Sequence, residues 1–171
     1  MKDIIFLTGG ARSGKSAFAL QCAERYGKKA FLATAETFDE EMAARVQKHR
    51  EERGAGFLTL EEPLHIDMVL REIPKDIDIV IVDCLTVWAG NLLYKQESRK
   101  KVRTYVERFL VALQDHHSNC ILVSNEVGMG IVPDNPMARE FRDIAGSINQ
   151  QVAKIATEAW FLCSGIPMRL K

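Results

Sequence analysis

A chain of 171 residues with 23 Lys and Arg against 23 Asp and Glu can bury a core without disulfides or a structural metal. It has no net positive field to draw it onto nucleic acid or an anionic membrane. The four cysteines, Cys22, Cys84, Cys120 and Cys163, stand singly, which argues against a zinc site and a secreted disulfide framework. No apolar run approaches the roughly 20 residues that span a bilayer, and Ile4 to Leu7 breaks at Thr8-Gly9-Gly10 too early for a signal peptide. The expectation is one cytoplasmic domain over residues 1–171 with a small-molecule partner.

In chain order, the apolar run Ile4 to Leu7 reads as the first strand. A first helix begins within the glycine loop that follows and ends near Gly27 as C-cap. Ala30 to Ala33 is a second strand. Thr37 with Glu40 three residues on forms a capping box, followed by the acidic first turn Asp39 to Glu41, which predicts a helix to about Gly54. Ile77 to Val82 is a buried strand. From Ser98 to Asp115, residues Val102, Tyr105, Val106, Phe109, Leu110 and Leu113 share one apolar helical face.

Cys120 to Val123 is another strand. Asn135 then Pro136 reads as N-cap and first residue of a long helix through Phe141, Ile144, Ile148, Val152 and Ile155. The chain closes with a strand at Trp160 to Cys163, a turn at Gly165-Ile166-Pro167 and a short last strand. Strands alternating with helices indicate an α/β fold around a mostly parallel sheet.

The segment GGARSGKS matches G-x-x-x-x-G-K-[ST] at Gly9, Gly14, Lys15 and Ser16, between a strand and a helix as that motif requires. Through Gly9, Gly10, Ala11, Arg12, Ser13 and Gly14, backbone N–H groups wrap nucleotide phosphates. Lys15 reaches the terminal phosphates, Arg12 adds a cation, and Ser16 can ligate Mg2+. The strand ending in Asp83 offers the companion carboxylate for the metal. This is a P-loop NTPase-like, RecA-like arrangement: a mostly parallel sheet flanked by helices with a short C-terminal β-hairpin. Asn125-Glu126-Val127-Gly128-Met129-Gly130 follows a strand and reads either as an active-site loop, with Glu126 as a candidate polar contact, or as an ordinary turn. A phosphate loop with an acidic strand end serves kinases, hydrolases, motors and switches alike, so these features leave the reaction open.

The segments GGARSGKSAFA, DEEMAARVQKHREER, LEEP, VSNEVGMGIVP, FRDIAGSINQ and SGIPMRLK resemble the bifunctional adenosylcobinamide kinase and adenosylcobinamide-phosphate guanylyltransferase family of cobalamin biosynthesis, from end to end. The resemblance implies phosphorylation of the aminopropanol hydroxyl of adenosylcobinamide by ATP or GTP. Transfer of GMP from GTP onto the new phosphate follows, giving adenosylcobinamide-GDP. It places the guanylylated histidine at His49, which residue patterns alone would read as part of a charged, solvated face beside Lys48 and Arg50. It puts nucleotide contacts on Gly9 to Ser16, on Thr34, Ala35 and Glu36, on Arg50, Glu51, Glu52 and Arg53, and on Glu61 and Asp83. It further implies a homotrimer.

On a helix, Met42, Val46, His49 and Arg53 share a face, so the first two can aim the imidazole and guanidinium at a nucleotide. The chain departs from the family pattern in having Arg53-Gly54 and Phe57 where many relatives have Arg-Pro and a tryptophan. Some relatives carry Glu at the position of Asp83. The rival readings are a plain small-molecule or nucleoside kinase with His49 idle, and a nucleotide-dependent nucleic-acid-binding module or switch, against which the balanced charge weighs.

Overall fold

The protein is seen in a computed structural model that describes residues 2–36, 56–95 and 98–171. The helix expected from Thr37 to about Gly54, with His49 and Arg50 to Arg53, lies outside the described residues.

Among the described residues, seven strands make one sheet: β1 (Ile4–Gly9), β2 (Lys29–Ala33), β3 (Phe57–Glu61), β4 (Ile79–Asp83), β5 (Asn119–Val123), β6 (Glu158–Cys163) and β7 (Ile166–Arg169). Their order is β3-β2-β4-β5-β1-β6-β7. Every pairing is parallel except β6 with β7, which is the antiparallel closing hairpin. The described helices are α1 (Lys15–Ala23), α2 (Ile66–Glu72), α3 (Leu85–Lys95), α4 (Arg99–Asp115) and α5 (Pro136–Ile155).

Because strand side chains alternate between faces, the uniformly apolar runs of β1, β4 and β5 serve two cores at once. Ile4, Phe6, Val80, Val82 and Leu122 face the side covered by α2 to α5, where Trp88, Phe109, Leu113 and Ile148 are buried. Ile5, Leu7, Ile79, Ile81 and Val123 face the side where α1 contributes Ala19 and Ala23. The cap expected at Asn135 is present, its Oδ1 accepting from Met137 N and Ala138 N ahead of Pro136, and Ser98 adds one that the sequence pattern did not single out, its Oγ accepting from Lys101 N.

Three details differ from the sequence expectation. Helix α1 stops at Ala23 rather than near Gly27, because Glu24 N and Tyr26 N turn back onto Gln21 and Ala23 carbonyls in tighter i→i+3 bonds. The last turn is Ser164-Gly165, both in the left-handed region at φ 51° and 81°, so Ile166 and Pro167 already belong to β7. Pro167 is tolerated there because β7 is an edge strand. Strand β3 and helices α2 and α3 were not anticipated.

His116, at the C-cap of α4, is 7 % exposed, and its Nε2 has no hydrogen-bond partner among the described residues. Burial, reinforced by His117 and Lys2, holds its pKa down at about 4 against 6.5 for the free side chain. Lys2 Nζ donates to the carbonyls of Leu113, Gln114 and His116, fixing a cation at this helix end. Since the folded-state value lies below the unfolded one, the unfolded chain binds the proton more readily. Stability is therefore full above pH 6.5 and is lost as pH falls towards about 4. Urea unfolding from pH 7 to 4.5 should show a steeper loss for the wild type than for His116→Gln. After discounting for screening by solvent, the expected difference is about 1–2 kcal/mol.

Candidate nucleotide-phosphate site

The site begins with strand register. Leu7 pairs with Val123, and Val123 pairs with Asp83, so the carboxyl ends of β1, β5 and β4 stand level. β5 lies between the other two, and α1 leaves from above β1. Ligands of open α/β sheets bind at this edge, beyond the strand carboxyl ends.

From β1 the chain turns through Gly9, at φ 149°, to Gly14, at φ 95°, which is the left-handed N-cap of α1. Gly9 is sterically required: a Cβ there would lie 2.2 Å from the Leu162 carbonyl oxygen on β6. The loop's carbonyls are tied down from several directions. Lys15 Nζ donates to Gly9 O at 3.1 Å, Gly10 O at 2.7 Å and Ser13 Oγ at 3.3 Å. Glu126 N donates to Gly9 O at 3.0 Å, and Gly165 N to Ser13 O at 3.0 Å. The N–H groups of Ala11, Arg12, Gly14, Lys15 and Ser16 make no hydrogen bond among the described residues. A loop with its acceptors occupied and its donors open is a receptor for anionic oxygens.

Ser16 Oγ donates to Asp83 Oδ2 at 2.7 Å, joining the start of α1 to the end of β4. Two hard oxygen donors beside a phosphate loop fit Mg2+, which takes one or two protein oxygens and completes its shell from phosphates and water. No group of three or more His, Cys, Asp and Glu able to hold a metal occurs among the described residues. Burial lowers the Lys15 pKa, opposed by the neighbouring Cys84 and Asp83. Burial and the adjacent Asp83 push the Cys84 thiol up to about 12, which favours its neutral form.

The other residues singled out from sequence distribute around this edge. Thr34 is fully buried; its hydroxyl accepts from Cys84 N at 2.9 Å and donates to Cys84 O at 2.8 Å, holding the end of β2 to that of β4. Ala35 and Glu36 are half-buried, and Glu36 pairs with Lys95 of α3. Glu61, exposed at the end of β3, is level with Ala33 and thereby with Asp83. Arg12 is exposed on the loop, in the left-handed region at φ 56°. Thus Gly9 to Ser16 and Asp83 come together directly, and Thr34, Glu36 and Glu61 line the same sheet edge.

Sequence reasoning missed a buried polar relay. Ser124 Oγ donates to Asn149 Oδ1 at 2.6 Å and lies 3.1 Å from Thr86 Oγ1. Thr86 Oγ1 accepts from Asn125 N at 2.5 Å, and Asn149 Nδ2 donates to Asn125 O at 3.1 Å. Helices α3 and α5 thereby clamp the chain as it leaves β5. The available signal was Asn149 beside Ile148 on the apolar face of α5, where a polar side chain must have a buried partner.

Gly9→Ala should therefore cost at least about 2 kcal/mol, lowering the melting temperature by roughly 4–8 °C and weakening nucleotide binding. Gly10→Ala, whose added Cβ meets nothing within 4 Å, should melt like the wild type. Equal melting temperatures for the two variants would show that the Leu162 carbonyl does not confine the loop.

A family model described as cobinamide kinase / cobinamide phosphate guanyltransferase matches residues 5–170. The chain is 36% identical over 180 residues to the bifunctional adenosylcobalamin biosynthesis protein CobU of Escherichia coli K12, covering 98% of this chain and 99% of that protein. It is 39% identical over 172 residues to the bifunctional adenosylcobalamin biosynthesis protein CobP of Pseudomonas aeruginosa, covering 100% and 98% of the two chains. Among solved structures, the KaiC-like protein PH0186 of Pyrococcus horikoshii superposes with a TM-score of 0.51 at 17% identity, over 93% of this chain and 70% of that one. That likeness is one of fold, the P-loop NTPase arrangement of sheet and loop. Full-length kinship at this level of identity, with the phosphate loop in its structural context, makes the chain a member of the cobinamide kinase / cobinamide phosphate guanyltransferase family.

Proposed function

We propose that this chain phosphorylates adenosylcobinamide with ATP or GTP and then transfers GMP from GTP to the resulting phosphate, giving adenosylcobinamide-GDP. The observation that carries this reading is the family match over residues 5–170, joined to a loop whose donors stand open beside the Ser16–Asp83 pair. The protein is read as cytoplasmic; no helix among the described residues is long and apolar enough to cross a membrane. A homotrimer is the assembly implied by the family resemblance.

In the first step the open amides of Ala11, Arg12, Gly14, Lys15 and Ser16 hold the triphosphate, and the Lys15 ammonium moves from the loop carbonyls to the terminal phosphates. Ser16 and Asp83 would hold Mg2+, which when bound neutralises charge gathering on the phosphates. In the second step the neutral imidazole of His49 attacks the α-phosphorus of GTP and releases diphosphate. The P–N bond it forms is then broken by a phosphate oxygen of adenosylcobinamide phosphate, which takes GMP and frees the histidine. Arg12, Arg50 and Arg53 are the cations available to the departing diphosphate. Thr34, Ala35, Glu36, Glu51, Glu52 and Glu61 complete the proposed nucleotide contacts. The Glu61 carboxylate has the acceptor pair needed by a guanine edge.

GTP labelled at the α-phosphate should leave acid-labile label on the wild-type protein, whereas γ-label should not, and His49→Ala should abolish it. Phosphorylation of adenosylcobinamide without any α-label on the protein would instead identify a plain kinase.

A further inference from the structure

The phosphoryl-transfer step needs a group to receive the proton of the attacking hydroxyl, since an alcohol is a poor nucleophile with its proton in place. Most carboxylates at the carboxyl edge of the sheet are already engaged. Asp83 accepts from Ser16, Glu36 is paired with Lys95, and Glu62 Oε1 accepts from Leu64 N and His65 N at 2.8 Å each. Glu61 closes β3, the far edge strand, two strands beyond β4.

Glu126 is placed differently. It follows β5, the strand between the phosphate-loop strand and the Asp83 strand. Its backbone rides on β1: Ser124 N donates to Leu7 O at 2.9 Å and Glu126 N to Gly9 O at 3.0 Å, so its Cα is held against the first residue of the loop. Behind it, the Thr86–Ser124–Asn149 relay fixes Asn125 from both sides. Its side chain is half-buried, and Oε1 accepts from Gly128 N at 2.6 Å. Oε2 makes no hydrogen bond among the described residues. One oxygen is thus anchored and the other free, on a backbone pinned to the phosphate loop.

We propose that Glu126 is the general base of the phosphoryl-transfer step. The acceptor hydroxyl oxygen bonds to the γ-phosphorus, and its proton passes to Glu126 Oε2. The bond from the γ-phosphorus to the bridging oxygen breaks, and its electron pair leaves on the nucleoside diphosphate. The same clamp that keeps Gly9 in place fixes the distance between base and phosphate. This assignment rests on the kinase half of the proposed function.

The test is phosphorylation of adenosylcobinamide by wild type, Glu126→Gln and Gly128→Ala, with the dissociation constant of a fluorescent GDP analogue measured in parallel. Gln keeps the size and the Oε1 acceptor but cannot take the proton. The kinase kcat should fall by roughly 10²- to 10³-fold, while nucleotide affinity stays within about twofold. Gly128→Ala puts a Cβ 2.9 Å from Glu126 Oε1 and turns the carboxylate from its seat, so its kcat should fall by roughly tenfold. A Glu126→Gln enzyme within threefold of wild type, or one whose nucleotide affinity falls in step with turnover, overturns the assignment. A wild type inert towards adenosylcobinamide overturns both this and the kinase reading; an active wild type with an equally active Glu126→Gln overturns this one alone.

Discussion

Parallel pairing of β5 with both β1 and β4 is the constraint from which the site follows. Leu7, Val123 and Asp83 share one level across three strands, so the phosphate loop, the Asp83 carboxylate and the segment after β5 emerge side by side. A slip of one residue in either pairing would turn every side chain of that strand to the opposite face. The two apolar cores prevent it: β1, β4 and β5 are buried on both sides, with Ile79, Ile81, Val80 and Val82 all fully enclosed. At about 1.5–3 kcal/mol for each large aliphatic side chain taken out of water, register here is fixed far more firmly than any polar contact at the edge could achieve. The polar contacts adjust what register has already placed.

That division of labour shows in the hydrogen bonds. Thr34, Asn91, Thr86, Ser124 and Asn149 are all buried, and each spends its polar atoms on backbone or on another of the set. Asn91 donates to the Thr34 and Pro63 carbonyls, linking α3 to the segments that leave β2 and β3. Deleting one such partner would leave the other buried and unpaired, which costs more than the bond contributes, so the set acts as a unit. Its members lie behind the phosphate loop and the Asp83 carboxylate, and their bonds set where the strand ends point.

Much of this was legible in the chain, for local reasons. The loop GGARSGKS and the cap at Asn135-Pro136 are written in residues whose backbone preferences are strong and short-ranged, and each occurs as read. The twin-faced strands showed as unbroken apolar runs. Strand β3 did not, because as an edge strand it is only partly buried, and Phe57-Leu58-Thr59-Leu60 has neither a clean alternation nor a full apolar block. Helix α3 escaped for the opposite reason: Leu85, Thr86, Trp88, Ala89, Asn91 and Leu92 are buried around much of its circumference, so no amphipathic stripe marks it. Helix α1 was read too long because its end is set by backbone turns at Glu24 and Tyr26 rather than by the glycine at 27. His49 had no local signal at all; only likeness to relatives singled it out.

The β6–β7 turn reaches back to the phosphate loop. Gly165 N holds Ser13 O, and the Gly165 Cα would lie 3.2 Å from a Cβ on Gly14. The phosphate loop is thus closed by a glycine some 150 residues downstream along the chain. Strand β7 is an edge strand whose residues are all exposed. Strain applied to that outer ribbon, by an inserted residue or a bound antibody, would therefore not stay at the surface but be carried one turn inward, to the backbone of Ser13 and Gly14.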